Sequence, residues 1–193
     1  MGKFRPAYTF MEIITVVAII AVISTVGVVS FRQGENNSNL ELNAELLINV
    51  FRDLQIKAMN GVAYQDQQPA GGYGWVVNNF DPNGFSTSYS TFIRTQNIAG
   101  PYTAGLDTII SSTTVTTGFY LLPGGRLTLN FKPLTGLIEA YLDTGQKVAS
   151  PLVGVAFVKI KDHYFKVLLN GQSGIITSEK VWQFFNWEGL GLL

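Results

Sequence analysis

The chain opens on an uninterrupted apolar block. Residues 10–31 read FMEIITVVAIIAVISTVGVVSF, with Glu12 as the single charge and no proline. At 1.5 Å per residue such a run makes about 30 Å of helix, the thickness of a bilayer's hydrocarbon core. A helix apolar on every side must be buried in lipid or protein, which predicts a transmembrane or assembly helix. Gly27 is its one intrinsically weak position, by about 1 kcal/mol relative to alanine.

The pattern changes at RQGENNS, residues 32–38, where Gly34 and two asparagines predict a kink or short linker. Ser38-Asn39-Leu40-Glu41 then has the spacing of a capping box and predicts a fresh helix start. Leu40, Leu47, Val50, Phe51, Leu54 and Ala58 recur at three- and four-residue steps, the mark of a helix with one apolar face, and Gly61 is a fitting terminator. Beyond Gln68-Pro69-Ala70-Gly71-Gly72 the chain turns to short apolar or aromatic runs separated by Gly, Pro, Asn and Asp, which predicts antiparallel strands. They fall near 73–77, 88–94, 108–110, 115–121, 126–131, 137–141, 153–159, 164–169 and 174–176, with hairpin turns at Lys161-Asp162 and Asn170-Gly171.

The flanks of the apolar block carry topological information. Lys3 and Arg5 precede it with no acid, whereas Arg32 and Glu35 roughly cancel on the far side, so the N-terminus is expected in the cytoplasm and the bulk of the chain outside. The block exceeds the 7–15 residues of a signal-peptide core, and no A-x-A-like site follows Val29. A plain signal anchor accounts for the length but leaves Glu12 unexplained, since a carboxylate near the bilayer centre costs about 2.5–3.5 kcal/mol on insertion scales.

The stretch Ala7-Tyr8-Thr9-Phe10-Met11-Glu12-Ile13-Ile14 resembles the processing signal of type IV pilins and type II secretion pseudopilins, in which a short basic leader precedes an aromatic first mature residue, a glutamate and an apolar helix. The resemblance implies cleavage between Ala7 and Tyr8 by a prepilin peptidase, N-methylation at Tyr8, and a role for Glu12 in filament assembly, with Lys3 and Arg5 as the leader's positive charge. The family mostly has glycine where this chain has Ala7. Cleavage would free an α-amino group, with an ordinary pKa near 8, about one helical turn from Glu12. In the family that glutamate is thought to meet the terminal amine of a neighbouring subunit, and any other stagger strands two buried charges, at about 3–5 kcal/mol. Residues 45–59 are loosely similar to the corresponding helix of H-type minor pseudopilins.

The implied fold class is α+β and pilin-like: a long N-terminal helix, transmembrane then amphipathic, packed on an antiparallel β-rich globular head. The implied domains are a leader at 1–7, a transmembrane and assembly helix at 8–31, a kink and amphipathic helix at 32–61, and the head at 62–193.

Composition narrows the chemistry. Lys plus Arg equal Asp plus Glu at 13 each, which gives no overall field to draw in nucleic acid. Scattered basic residues on the head (Arg94, Lys132, Lys147, Lys159, Lys161) form no visible patch, though they keep DNA uptake open as a minor reading. There is no cysteine, and His163, beside Asp162 and Tyr164, is the single histidine; it reads as a turn residue, and neither a zinc site nor a catalytic triad assembles around it. Asn78 to Gly84 is oxygen-rich but lacks the acid that an EF-hand register requires, so it reads as a turn. The glycine-rich runs at 71–74 and 123–126 fit no phosphate-binding fingerprint. The aromatic stretch at 181–188 reads as a closing segment on the head, with a subunit contact as the second reading.

No enzyme, cofactor or metal is therefore expected. The expected function is a structural subunit of a type IV pilus-like or type II secretion pseudopilus filament, leaning toward a minor subunit. Its implied partners are other pilin or pseudopilin subunits, the prepilin peptidase and the inner-membrane assembly platform. Its implied location is the inner membrane, as a single span with the N-terminus inside, and then a periplasmic or extracellular filament. The alternative is a membrane-anchored extracytoplasmic binding domain that does not polymerise. Pilus versus pseudopilus, major versus minor, and any ligand of the head stay open.

Overall fold

The computed structural model describes residues 10–78, 85–122, 126–148, 152–158 and 164–181, with side chains in helical residues 26–37 and 40 and several strand residues excepted. Contacts divide the chain into two units, Met1–Ser38 and Asn39–Leu193. Helix α1, Phe10–Met59, is a single 50-residue element.

The sequence predicts two helical pieces joined by a kink at 32–38; the backbone stays helical throughout that stretch. Each Asn or Gly there costs at most about 1 kcal/mol relative to alanine, and without a proline nothing blocks the hydrogen-bond ladder. Ser38 is thus an interior residue rather than a cap. Among the described residues, no helix is both long and apolar enough to cross a membrane. The expected fold class, a transmembrane piece kinked from an amphipathic one, is corrected: one unbroken helix replaces the two pieces, and no membrane span is found among its described residues. Gly61 does end the helix, at φ +61°. Its N–H meets the Ala58 carbonyl and Val62 N–H meets that of Lys57, the paired bonds of a Schellman stop.

The second unit is built on eight strands: β1 Gly72–Asn78, β2 Phe85–Arg94, β3 Asp107–Leu122, β4 Leu127–Phe131, β5 Ile138–Leu142, β6 Leu152–Val158, β7 Tyr164–Asn170 and β8 Ile176–Val181. All pair antiparallel in one sheet of order β5-β4-β1-β2-β3-β6-β7-β8. Two expected strands, 108–110 and 115–121, are one 16-residue strand, β3. The intervening Ser111-Ser112-Thr113-Thr114 continues extended because its hydroxyls are matched on β2: Ser112 to Ser90 at 2.7 Å and Ser111 to Thr91 at 2.8 Å. The last strand lies later than the expected 174–176, because Gly174 and Ile175 belong to the turn after Asn170.

The core explains the helix face. Ala44, Leu47, Ile48, Phe51, Leu54 and Ala58 are buried and follow the three-to-four-residue stripe of a helix seated on a sheet. Trp75 and Thr91 are directly paired, as are Tyr73 with Ile93 and Val77 with Tyr89, so these residues share one sheet face by alternation. Phe51 meets Trp75 edge-on at 5.4 Å between centroids and lies 6.1 Å from Phe131. Val167, Leu169 and Ile176, from β7 and β8, belong to the same cluster.

The two outer ends of the sheet come together under the helix. Gln55 donates from Nε2 to the Gly136 carbonyl (2.9 Å), just before β5, and to the Gly174 carbonyl (2.8 Å), just before β8. A side chain at Gly174 would press on both the Gln55 amide and the Gly136 carbonyl, so only glycine lets the two turns approach. The sheet is therefore not a flat layer with a helix laid on it; it curls until its ends meet over one glutamine.

The opposite face is covered by the chain between β2 and β3. Tyr102 packs on Phe92 at 5.2 Å, its N–H reaches Thr128 Oγ1, and Asn130 Nδ2 donates to the Gly100 carbonyl at 2.7 Å. Val76 and Thr128 are accordingly buried on the side away from the helix.

Candidate assembly surface

The first unit exposes what a soluble protein hides. From Phe10 to Ile23, ten large apolar side chains of α1 are at least 46% exposed, with Phe10 at 77% and Met11 at 70%. At roughly 100 Å² each, that is about 1,000 Å² of apolar surface, worth about 25 kcal/mol if buried. The largest apolar patch on an ordinary monomer is roughly 300–600 Å². The polar groups among them look inward: Thr15 Oγ1 donates to the Met11 carbonyl (2.8 Å) and Thr25 Oγ1 to that of Val22 (2.7 Å), which hides both hydroxyls from an apolar neighbour.

Glu12 is exposed within this surface and lies in the first turn of α1, where a negative charge also complements the helix dipole. It is the one predicted site residue that the structure places. Lys3, Arg5, Ala7 and Tyr8 lie outside the described residues, as do His163, residues 79–84 of the oxygen-rich turn, and the aromatic stretch from 182 onward.

In the second unit the most chemically concentrated spot is a cleft of about 100 Å³, lined by Arg94, Gln96, Pro101, Thr103, Leu106 and Asp107 among others. The sequence offers Arg94 as a loose surface cation for DNA; the structure buries it. Its Nε and Nη2 donate to the two oxygens of Asp107, both at 2.7 Å. Nη1 serves the carbonyls of Ile98 and Gly100, and Nη2 that of Pro101. All five guanidinium N–H groups are consumed, which leaves none for a ligand. Asp107 Oδ2 also accepts from Thr103 N–H. The arginine acts as an internal cation around which the β2–β3 connection is wound. An ion pair between residues 13 apart is invisible in sequence, because it exists only once β3 folds back on β2.

Lys132 and Lys147, two more of the scattered cations, converge on Glu139 at 3.2 and 2.7 Å, and Tyr141 donates to it at 2.9 Å. Burial pushes Glu139 up, but the hydrogen bonds from Lys147, Tyr141 and Lys132 outweigh it and hold the carboxyl below its ordinary 4.5. Tyr141 is pushed up to about 12 by burial and by the adjacent carboxylate. Among the described residues, no group of three acids or histidines is placed to hold a metal.

The outward side of the later part of α1 was not foreseen. Leu42, Leu46 and Ile56 are each more than half exposed; the signal was present as apolar residues off the buried stripe. No known protein family, characterised protein or solved structure matches the chain.

Proposed function

We propose that the chain is a filament subunit of the type IV pilin and pseudopilin kind, exported at the inner membrane and assembled through the first part of α1. One observation carries the reading: an exposed apolar helix of about 1,000 Å², far above the roughly 300–600 Å² of an ordinary monomer, with a single carboxylate, Glu12, in its first turn. Side-by-side packing of such helices from neighbouring copies buries that area. In it, Glu12 of one subunit pairs with the freed amine at Tyr8 of another. Desolvation then fixes the axial stagger, since a register that leaves either charge alone costs about 3–5 kcal/mol. Prepilin peptidase, the assembly platform and other pilin-like subunits are the partners, and the function is structural.

The test begins with the precursor. Co-expressed with a prepilin peptidase, the chain should shorten to a product whose first residue is Tyr8; an unchanged mass, or a cut beyond the apolar run, rejects the proposal. Glu12→Ala should be processed normally yet fail to enter filaments, and normal incorporation would rule out the pairing. The competing reading, an anchored binding domain that never polymerises, calls for a ligand site on the head. The cleft beside Arg94 supports it poorly, because its donors already serve the protein's own carbonyls.

A further inference from the structure

β3 is shared between two parts of the sheet. Residues Asp107 to Thr114 pair with β2, and Phe119 to Leu122 pair with β6. Between them the register slips, five residues of β3 advancing against two of β2 from Ser88 to Ser86. Among the described strands, residues 107–115 therefore have a neighbour on one side only. Ser111, Ser112, Thr113 and Thr114 are all exposed. Because successive side chains point to opposite faces, four exposed residues in a row mean that this strand projects past both the helix on one side and the β2–β3 connection on the other. Among the described residues, apart from the bridge between Ala104 and Asp107, no backbone lies along its outer edge.

Natural sheets protect such edges with charge, proline, bulges or a covering segment. The other two edges here do so. Along β5, Val148 N–H bonds Ala140 and Leu142 N–H bonds Gln146, so the chain returns to cap that edge beside Lys147 and Glu139. β8 carries Glu179 and Lys180. Residues 107–115 contain no proline, lysine, arginine or glutamate, and their one acid, Asp107, is neutralised by Arg94.

We propose that the edge of β3 at 107–115 is a lateral contact that receives the same edge of a second copy of this chain, adding a strand to each sheet. The chemistry is self-complementary. Two such edges laid antiparallel bring together serines and threonines, the pairing that β3 already makes with β2 through Ser90–Ser112 and Thr91–Ser111, and no like charges oppose. Nine residues of strand are about 30 Å long. The contact then buries roughly 600 Å² in total, below the 1,200 Å² or more of a stable complex. It is weak between free copies and forms where another interaction holds copies at high effective concentration. It thus rests on the filament reading for its setting, though not for its test.

The test uses the absence of native cysteine. Cysteine is placed singly at Ser111, Ser112, Thr113 or Thr114 in the full chain, which is concentrated in mild detergent micelles and oxidised. Disulfide-linked dimer should peak several-fold at one position, the one on the two-fold axis, and fall at its neighbours. Adding Ile109→Lys, on the same edge and 46% exposed, should lower that yield at least five-fold while the fold, followed by circular dichroism, is kept. Adding Glu12→Ala should leave it unchanged, so failure of the helix pairing and failure of the edge contact are separable. Equal or absent cross-linking at all four positions, or cross-linking only to a different protein, overturns the proposal.

Discussion

Arg94→Met isolates the internal cation with little change in side-chain bulk. In the protein the Arg94 and Asp107 side chains are 6% and 0% exposed, and the guanidinium satisfies three carbonyls as well as the carboxylate. Removing it strands Asp107 with Thr103 N–H as its remaining described partner. Breaking a buried pair in this way costs about 3–5 kcal/mol, whereas replacing both partners by apolar groups is often near neutral. For a domain of this size each kcal/mol moves the melting temperature by about 2–4 °C. Arg94→Met should therefore lower it by roughly 10 °C, and Arg94→Met with Asp107→Leu should recover more than half of the loss. The assay is thermal unfolding of the full chain in detergent, followed by near-ultraviolet circular dichroism from the buried Trp75. Hydrogen exchange gives the local readout: in the single variant the amides of Tyr102 and Thr103 should exchange faster than those of β1. A single-variant shift under about 2 °C, or a double variant as unstable as the single, refutes the view that the β2–β3 connection is organised around a buried charge.

Other expectations concern pH, strain and packing. Because Glu139 is held below its ordinary 4.5, its contribution is fully present above that value and is lost as pH falls through the depressed one. Tyr141, raised to about 12, contributes below its ordinary 10.0 and loses this as pH rises from there toward 12. Glu139→Gln should flatten both limbs of a stability-versus-pH profile, and an unchanged acid limb would argue against the cluster. Leu134 is 80% exposed at φ +65°, a conformation costing about 1–2 kcal/mol for a residue with a Cβ. Leu134→Asn, better tolerated there, should raise the melting temperature by a few degrees; a fall would mean the leucine is held by a contact. Phe51→Ala, at the centre of the Trp75 and Phe131 cluster, should cost about 3–5 kcal/mol in denaturant titration.

Much of the second unit was legible in the chain. The face of α1 at Leu47, Phe51, Leu54 and Ala58 follows from spacing alone, and strands such as β1, β4 and β7 follow from alternation bounded by turn residues. The errors have physical causes. At 32–38 weak helix formers suggest a break, but several small propensity penalties do not interrupt a helix already nucleated on both sides. At 111–114 a run of hydroxyl residues suggests a gap, but cross-strand pairing with β2 makes it strand. The Arg94–Asp107 pair and the meeting of the β5 and β8 ends depend on tertiary closure, to which no local pattern refers. Of the candidate site, Glu12 stands out by being charged among apolar neighbours, while the outward Leu42 and Leu46 could be recognised only once the buried stripe was known.

The two bonds of Gln55 bear on the order in which the chain can fold. Its acceptors at Gly136 and Gly174 lie 81 and 119 residues downstream. Closing loops of that length is entropically costly and slow compared with forming the helix itself. During synthesis β1 to β5 are complete before β8 exists, so the helix face can already pack on Trp75 and Phe131, whereas the glutamine can join the two turns only once Gly174 has been made. A chain stopped before β8 would keep the helix packed on β1 and β4 but would lack the Gly174 acceptor and Ile176 of the core, leaving the two ends of the sheet unjoined.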